Sequence, residues 1–379
     1  MSKISLFCGD ALEVMPTLDA CSVDAIVTDP PYGLSFMGKN WDRGIPGEAF
    51  WRETLRVSKP GAHLLAFGGT RTFHRLTCAI EDAGWEIRDC LMWVYGSGFP
   101  KSLDVSKAID KAAGVRREVV GKDRSGPAVV AFARSAACEF DITAPATDAA
   151  RQWQGWGTAL KPAWEPIILA HKPLEGTVAQ NVQKWGCGAL NIDGCRVETG
   201  DTLSFGSREL GDGIKFGRCK PTTEGVQNPS GRWPANLIHE GSEEVVGMFP
   251  DGAARFFYCA KASKGDRDEG LGAMELTPVN ERNQYANPPD KRMDHEQARN
   301  PAHNHHPTVK PTALMQYLCR LVTPPGGTVL DPFMGSGSTG RGAALEGFDF
   351  VGIDLDADYI EIARRRITEV APLFVETTP

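Results

Sequence analysis

The sequence predicts an α/β fold built on a doubly wound, mostly parallel sheet. Two observations support this prediction. Short apolar segments alternate with segments of helical spacing over residues 1–94, and the same alternation returns over residues 306–370. The apolar segments also lack strict alternation, as expected of strands whose two faces are both covered.

The C-terminal part consists of a strand, a glycine loop, a helix and a second strand that finishes at Asp354. This arrangement usually opens a nucleotide-binding half-sheet, yet this chain makes it last. A lone two-strand unit is unstable, so we expect it to join the sheet begun by the N-terminal third. The two ends of the chain are therefore predicted to form one domain.

In the N-terminal part, apolar runs bounded by Gly, Pro or Asp predict strands, and apolar residues three or four apart predict helices. The predicted elements are a strand at 4–8, a helix at 11–18, a strand at 23–28, a helix at 50–57, a turn at 59–61, a strand at 62–67, a helix at 73–83 and a strand at 85–94.

The regular pattern stops near Gly96. Residues 97–156 are polar, basic and rich in Gly, Ala and Asp, and residues 173–300 again lack the alternation. Residues 280–306, which begin inside the second region and end just after it, are predicted to form a mobile loop. The remaining predicted elements are a strand at 166–170, a helix at 313–321, a strand at 328–330, a helix at 339–346, a strand at 348–353 and a helix at 359–370.

Composition excludes several classes of protein. The chain has 379 residues, 41% of them hydrophobic and 23% charged, and its mean hydropathy is −0.27. No apolar run approaches the roughly 18 residues that span a bilayer, and no signal-like segment opens the chain. We therefore expect a soluble, cytoplasmic protein. Ten cysteines without a Cys-x-x-Cys pair predict free thiols, and neither a disulfide framework nor a zinc site.

The net charge of −7 suits neutral or cationic partners better than nucleic acid. Phosphate contact, however, needs only one basic face, and basic residues cluster over 101–124 and 255–267. The histidines near residue 305 predict a solvated loop end, and no metal site is expected.

The loop Gly335-Ser336-Gly337-Ser338-Thr339-Gly340 is predicted to hold a nucleotide-like ligand, because its glycines let the backbone approach a ligand at a helix N-terminus. A phosphate loop is disfavoured, since no Gly-Lys-Ser/Thr follows. Asp331 would repel a pyrophosphate but attract the amino group of a sulfonium-bearing amino acid. Asp354 can accept hydrogen bonds from ribose hydroxyls. The loop therefore favours S-adenosylmethionine over NAD.

The motif Asp29-Pro30-Pro31-Tyr32 follows the strand at 23–28, at the edge where open α/β sheets place ligands. A Pro-Pro pair can simply end a strand, but the flanking strand and the glycine loop favour a functional motif. An exocyclic base amine is a weak nucleophile, because its lone pair is conjugated with the ring. The Asp29 carboxylate and the Pro30 carbonyl can hold its two hydrogens and favour a pyramidal nitrogen. Tyr32 is predicted to stack on a base that has left a duplex.

With these motifs in this order, the chain resembles amino-group DNA methyltransferases of the β arrangement, in which Asp-Pro-Pro-Tyr precedes the target-recognition region and the donor motif follows. The resemblance implies a circularly permuted, seven-stranded Rossmann-like methyltransferase sheet, S-adenosylmethionine as methyl donor and double-stranded DNA as partner. It leaves open a homodimer and a cognate restriction nuclease, in a prokaryotic or phage-like setting. The matching stretches are Gly9-Asp10, Asp29 to Tyr32, Leu55 to Gly61, His306 to Pro311, and Asp331 to Gly340 with Asp354.

By this resemblance, Asp10 contacts the adenine of the donor, and Thr308 and Lys310 hold its methionine end. The strand at 166–170 is similar to the family's last sheet strand, which usually carries a glutamate or histidine just before it, here Glu165. The predicted catalytic residues are Asp29, Pro30, Pro31 and Tyr32. The predicted donor-binding residues are Asp10, Thr308, Lys310, Asp331, Phe333, Gly335, Ser336, Gly337, Thr339 and Asp354.

The same resemblance divides the chain into parts. The region 173–300 is longer than usual for the family and matches no recognition motif, and the insertion at 97–156 is a second departure. The expected parts are a catalytic part (1–96), an insertion that can add DNA-binding surface (97–156), the last sheet strand (157–172), a target-recognition region with a mobile loop (173–300), a donor-binding part (301–370) and a tail (371–379).

Several alternatives bear on the reaction. Carbon-5 cytosine methylation needs a cysteine nucleophile, typically after proline, and no Pro-Cys occurs. Aspartate as the first motif residue favours adenine N6, because serine is common at that position in similar cytosine enzymes. Cytosine N4 stays open as the alternative. A donor-binding or DNA-binding regulator without catalysis is disfavoured by intact Asp29 and Tyr32. RNA or protein-glutamine methyltransferases usually place the donor motif first and often have Asn in place of Asp29.

Overall fold

The computed structural model describes residues 2–34, 42, 44–96, 98, 100, 102–123, 140–199, 231–260, 265–272, 303, 304, 306, 308–371 and 375–378. Most of the loop predicted at 280–306 lies outside these residues. So do 124–139 of the predicted insertion and 200–230 of the predicted recognition region.

The N-terminal part alternates strands and helices as expected. Its elements are β1 (Ile4–Cys8), α1 (Ala11–Val14) continued by a 3-10 turn (Met15–Thr17), β2 (Val23–Thr28), α2 (Glu48–Val57), β3 (Ser58–Phe67), α3 (Phe73–Asp82) and β4 (Glu86–Val94). The segment after β4 contains α4 (Val105–Ala112), β5 (Val119–Asp123), β6 (Phe140–Thr143) and α5 (Asp148–Gln152), and the strand β7 (Trp164–His171) follows.

The second half contains short elements and then the compact C-terminal unit. These are α6 (Val178–Trp185), β8 (Leu237–His239), α7 (Glu243–Val246), β9 (Tyr258–Cys259), α8 (Thr312–Val322), β10 (Thr328–Asp331), α9 (Ser338–Leu345), β11 (Asp349–Asp354), α10 (Ala357–Val370) and β12 (Val375–Thr378). No helix in the described part of the chain is long and apolar enough to cross a membrane.

One sheet organises the described residues. Its ten strands run in the order β12-β1-β11-β10-β2-β3-β7-β4-β8-β9. The seven strands expected from the resemblance form its centre, from β1 to β4, and three short strands extend the two edges. Among the strands described in this ten-stranded sheet, β7 alone runs antiparallel to its neighbours, which are β3 and β4. The prediction of a mostly parallel, seven-stranded methyltransferase-like sheet is confirmed for this central part, and the three edge strands are additions to it.

One further expectation needs correction. Residues 59–61 were predicted to form a turn, but they belong to β3, where the pairing with β2 shifts register and Gly61 has φ +80°. Such a register shift lets a glycine stay within a strand. Within 97–156, where the regular pattern was expected to stop, the described residues form two helices and an antiparallel pair of strands, β5 and β6, outside the main sheet.

Both faces of the sheet are covered, which explains why its strands read as continuous apolar runs. On β3, Leu64 belongs to a buried cluster that includes residues of α1, α2 and α3, while its neighbour Leu65 belongs to a second cluster that includes residues of α8 and α10. Alternate residues of a strand point to opposite faces, so a strand between two helical layers needs apolar residues at every position.

The pairing of β2 with β10 joins the head of the chain to its tail. The two strands are parallel neighbours, with Val329 opposite Ala25 and Leu330 opposite Ile26. At their carboxyl ends, the Thr28 hydroxyl donates a hydrogen bond of 2.7 Å to Asp331, and both residues are buried. The first residues after each strand, which include the two predicted motifs, therefore emerge side by side at one edge of the sheet.

Helix α9 packs so closely on α8 that one of its positions must be glycine. A Cβ at Gly342 would lie 2.7 Å from the backbone nitrogen of Gln316 and 2.9 Å from the carbonyl carbon of Met315. We expect Gly342→Ala to lower the free energy of unfolding by about 1–2 kcal/mol, because overpacking against backbone outweighs the gain in helix propensity of about 1 kcal/mol. Denaturant unfolding followed by circular dichroism measures this change.

Gly47→Ala is the matched control, because a Cβ there meets nothing within 4 Å and the φ of −83° suits alanine. We expect it to stay within about 1 kcal/mol of the unsubstituted protein. Equal stability of the two variants would contradict the close α8–α9 approach.

Candidate active site

A cavity of about 720 Å³ opens at the carboxyl edge of the sheet, where β1, β2, β10 and β11 end. Both ends of the chain line it. From the head come Gly9, Asp10, Ala11, Leu12, Asp29, Pro31 and Phe50; from the tail come His306, Thr308, Lys310, Met315, Asp331, Pro332, Phe333, Met334, Gly335, Ser336, Ser338, Thr339, Asp354, Leu355, Asp356, Ala357 and Tyr359.

The glycine loop between β10 and α9 forms one wall of this cavity. Gly335 has φ +52°, and a Cβ there would lie 2.6 Å from the His306 ring. Gly337 has φ +79°, and a Cβ there would lie 2.8 Å from the Cβ of Ala363 in α10. Both positions thus combine a left-handed backbone with a close neighbour, which only glycine accommodates.

Asp331 is buried at the tip of β10 and accepts three hydrogen bonds. The donors are the hydroxyl of Thr28 at 2.7 Å, the hydroxyl of Thr339 at 2.5 Å and the backbone N–H of Phe333 at 3.1 Å. Burial raises the pKa of Asp331 to about 7, although the hydrogen bonds from Thr339 and Thr28 oppose this shift. The carboxyl group is therefore held in one orientation and sits near its ionisation midpoint at neutral pH.

Asp354 ends β11 and faces the same cavity. Its carboxylate accepts the backbone N–H of Gly335 at 2.8 Å and that of Asp356 at 2.9 Å. Burial raises its pKa, and these backbone hydrogen bonds oppose the rise. Asp10 lies across the cavity and caps α1 by accepting the N–H of Leu12 at 2.8 Å. The backbone N–H of Gly9, which follows β1, donates a hydrogen bond of 2.9 Å to the carbonyl of Asp354 at the end of β11.

Four polar side chains meet around the Asp-Pro-Pro-Tyr motif. The ammonium group of Lys310 lies 2.8 Å from Asp29 Oδ2 and 3.0 Å from Glu165 Oε2. The Tyr32 hydroxyl lies 2.8 Å from Asp29 Oδ1 and 3.0 Å from the same oxygen of Glu165. Lys310 also donates to the Tyr32 hydroxyl at 3.2 Å. We refer to Asp29, Tyr32, Glu165 and Lys310 as the polar cluster.

The charges of the polar cluster depend on one another. Burial alone would lower the pKa of Lys310, but the charges of Asp29 and Glu165 raise it above its ordinary value. The pKa of Tyr32 is raised by burial and by the same two carboxylates. Lys310 is therefore a cation and Tyr32 a neutral hydroxyl at neutral pH.

The structure brings most of the predicted site residues together. All predicted donor-binding residues except Gly337 line the cavity, together with Asp29 and Pro31 of the motif. Tyr32 reaches the lining residues through its hydrogen bonds, Pro30 is buried beside it, and Gly337 lies in the contact between α9 and α10. The placement of Lys310 differs from the expectation, because its ammonium is bound to Asp29 and Glu165.

Phe50, His306 and Tyr359 also line the cavity, but no role was predicted for them. Phe50 stacks on Phe333 with ring centroids 4.7 Å apart, and the His306 ring meets Tyr359 edge to face at 4.6 Å. Burial lowers the pKa of His306 to about 4, so this ring is neutral at pH 7. These partners are far apart in the chain, and a pattern of single residues does not reveal such pairs.

The cavity fits the predicted methyl donor. Carboxylates at Asp331 and Asp354 suit an amino group and ribose hydroxyls, and the Phe50–Phe333 pair provides apolar surface next to the glycine loop. The volume lies within the range typical of sites for small ligands. Among the residues that the structure describes, no group of three or more His, Cys, Asp or Glu side chains could hold a metal ion.

Comparison with known proteins identifies similar sequences. The Type II methyltransferase M2.DpnII of Streptococcus pneumoniae is 45% identical over 62 residues, which are 16% of this chain and 23% of that protein. The DNA adenine methyltransferase YhdJ of Escherichia coli (strain K12) is 42% identical over 65 residues, 17% of this chain and 22% of that protein. The matches thus span about a quarter of each relative's length.

Two solved structures are similar to this chain over nearly its whole length. PvuII DNA methyltransferase, described as cytosine-N4-specific, has a TM-score of 0.45 and 13% identity, over 98% of this chain and 92% of that chain. The complex of M1.HpyAVI with SAM has a TM-score of 0.42 and 16% identity, over 96% and 98%.

A family model described as DNA methylase, N6_N4_Mtase, matches residues 23–365. This range includes the Asp-Pro-Pro-Tyr motif, the glycine loop and everything between them. The family uses S-adenosylmethionine as its methyl donor. This chain belongs to the N6/N4 DNA methylase family.

Proposed function

We propose that this protein transfers a methyl group from S-adenosylmethionine to the exocyclic N6 of adenine, in a DNA base that has left the duplex. One observation carries the proposal. A single cavity is lined by Asp29, the first residue of the amine-binding motif, and by the glycine loop with Asp331 and Asp354. The groups that suit an amine and those that suit the donor thus face the same space.

The residues of the motif would act mainly by alignment. Asp29 and the carbonyl of Pro30 accept the two hydrogens of the amine, which favours a pyramidal nitrogen whose lone pair points into the cavity. Most of the rate enhancement would then come from holding the nitrogen in this geometry. Removal of a proton before the transfer would contribute little. S-adenosylmethionine, when bound, supplies the electrophilic methyl group. Tyr32, whose hydroxyl is hydrogen-bonded to Asp29, is proposed to stack on the base.

On the donor side, each acidic residue has a distinct proposed task. Asp331 binds the amino group of the methionine moiety, Asp354 accepts hydrogen bonds from the ribose, and Asp10 contacts the adenine. The backbone around Gly335 and Ser336 approaches the donor closely, because Gly335 carries no side chain. Thr308, which lines the cavity, is proposed to bind the methionine end, whereas the contacts of Lys310 support a role on the amine side.

Adenine is favoured over cytosine N4 by two observations. The first motif residue is Asp29, where serine is common in cytosine enzymes of this kind. One of the similar sequences, YhdJ, is a DNA adenine methyltransferase. The alternative, methylation of cytosine N4, places the same kind of conjugated amine in the same cavity. Mass spectrometry distinguishes N6-methyladenine from N4-methylcytosine in digested product DNA.

The test of the proposed function uses purified protein, labelled S-adenosylmethionine and DNA from a host without base methylation. We expect label in N6-methyladenine. Asp29→Ala is expected to lower the transfer rate by about 100-fold or more, because the oriented acceptor of the amine is lost. Donor affinity, measured by calorimetry, is expected to stay within about threefold, since Lys310 keeps Glu165 as a partner.

The matched control is Asp19→Ala, which removes an exposed aspartate before β2 and is expected to leave the rate unchanged. No transfer to any DNA by the unsubstituted protein would favour a regulator without catalysis. Equal loss of transfer and donor binding in Asp29→Ala would show that Asp29 has a different role.

Donor affinity is expected to depend on pH through Asp331. Below its pKa of about 7 the carboxyl is protonated and attracts an amino cation poorly, and above it the carboxylate forms. The dissociation constant of S-adenosylmethionine is therefore expected to fall about tenfold from about pH 6 to about pH 8. Calorimetry across this range measures it. Asp331→Asn should bind more weakly and without this dependence, and a pH-independent affinity of the unsubstituted protein would contradict the assignment.

Residues 173–300 are proposed to read the DNA sequence, and the structure indicates how to test this. Strands β8 and β9 belong to the main sheet, so removal of the whole region would damage the catalytic fold. Val197 and Arg232, however, pair through backbone hydrogen bonds of 3.0 and 2.8 Å, which brings residues 199 and 231 close together.

We expect replacement of 200–230 by a short Gly-Ser linker to preserve donor binding and to abolish or change the sequence choice. Long-read mapping of modified bases in DNA from an expressing cell measures the choice. A shortened protein that still methylates one unchanged site would place sequence reading outside 200–230.

A further inference from the structure

Glu165 lies at the site because β7 is antiparallel to its neighbours β3 and β4. The carboxyl ends of the parallel strands form the catalytic edge, and an antiparallel strand brings its first residues to that edge. Glu165, the second residue of β7, lies opposite Trp93 of β4 and contacts Tyr32, which follows β2. The residue thus completes the site from a third part of the chain.

The polar cluster contains two carboxylates and one cation. With Asp29 and Glu165 ionised and Lys310 protonated, it carries one net negative charge. Lys310 is 9% exposed and each carboxylate 21%, so these charges are only partly screened by solvent. If Glu165 were neutral, Lys310 would pair with Asp29 alone, and the cluster would carry no net charge.

Methyl transfer moves positive charge toward this cluster. The bond between the donor sulfur and the methyl carbon breaks, with its electron pair left on sulfur, and a bond from the amine nitrogen to that carbon forms. The positive charge of the sulfonium thereby passes to the nitrogen, which afterwards loses one proton. Asp29, which accepts a hydrogen bond from the amine, is placed to take that proton, and the Tyr32 hydroxyl connects Asp29 to Glu165.

We propose that Glu165 is a positioning residue of the amine site, which shares the ammonium of Lys310 with Asp29 and supplies the surplus negative charge that the transfer requires. The proposal rests on the proposed function of the site. Glu165 acts through Lys310 and Tyr32, since it draws Lys310 partly away from Asp29. The Asp29 carboxylate thereby keeps acceptor capacity for the amine.

Other charged groups near Glu165 do not replace it. Tyr95, which follows β4, is hydrogen-bonded to Glu165. The carboxylate of Glu240, which follows β8, accepts hydrogen bonds from Gly96 and Ser242. Burial and the charge of Glu165 raise the pKa of Tyr95, so its hydroxyl stays neutral. Among the described side chains with a hydrogen bond or ion pair to this cluster, Lys310 is the one cation.

The test measures single-turnover methyl transfer to DNA from a host without base methylation, at saturating labelled S-adenosylmethionine. Glu165→Gln keeps the size of the side chain and removes its charge. We expect its transfer rate to fall by about 30-fold, with donor and DNA affinities within about threefold of the unsubstituted protein. Glu165→Asp, which keeps the charge, is expected to be at least about fivefold faster than Glu165→Gln.

Glu86→Gln is the matched control. Glu86 lies at the other end of the β4–β7 pair, opposite His171, so the same chemical change is made far from the cavity. It is expected to transfer at the unsubstituted rate. Thermal unfolding of all variants checks that they fold.

The outcomes separate the inference from the function on which it rests. If the unsubstituted protein transfers no methyl group, the proposed function fails. If it does transfer, and Glu165→Gln is within threefold of its rate, the positioning role is overturned. Two further outcomes also overturn the positioning role, because a structural role alone would give them. In the first, Glu165→Gln loses donor affinity as much as it loses rate. In the second, Glu165→Asp is as slow as Glu165→Gln.

Discussion

The parallel pairing of β2 with β10 is the interaction on which the rest of this structure depends. It joins segments that lie about three hundred residues apart, and its carboxyl ends carry Asp29 on one side and Asp331 on the other. The hydrogen bond from Thr28 to Asp331 closes this contact at the edge of the sheet. Without this pairing, the Asp-Pro-Pro-Tyr motif and the glycine loop would be separate features of one chain rather than two walls of one cavity.

The site also concentrates charge that would be costly elsewhere. Asp331 and Asp354 line one cavity together with Asp29 and Lys310 of the polar cluster, and each of these carboxylates is held by hydrogen bonds or by Lys310. Paired or hydrogen-bonded charges can be buried, whereas lone charges are expelled or neutralised. A cationic donor and a nitrogen that becomes positive are chemically suited to such an acidic environment, and this agreement connects the family assignment with the proposed reaction.

The alternation of strands and helices could be predicted from the sequence, because each central strand must be apolar on both faces. The predicted strands at 4–8, 23–28 and 85–94 agree with the structure within a residue at each end. Short strands were not predictable in the same way. β8 and β9 have three and two residues, and their place in the sheet depends on β4 as a partner rather than on a pattern of their own.

By itself, the sequence determined the two motifs, their order and the acidic residues at the strand tips, because these depend on local residue types next to apolar runs. Only the tertiary structure decided that Lys310 binds Asp29 and Glu165, and that Phe50 stacks on Phe333. Those contacts join residues from separate strands and loops, and their partners are set by the direction of β7 and the order of the strands. A one-dimensional pattern contains neither, so the chemistry proposed for Asp29 and Tyr32 could be anticipated, but the contacts of Lys310 that balance the charge of Asp29 could not.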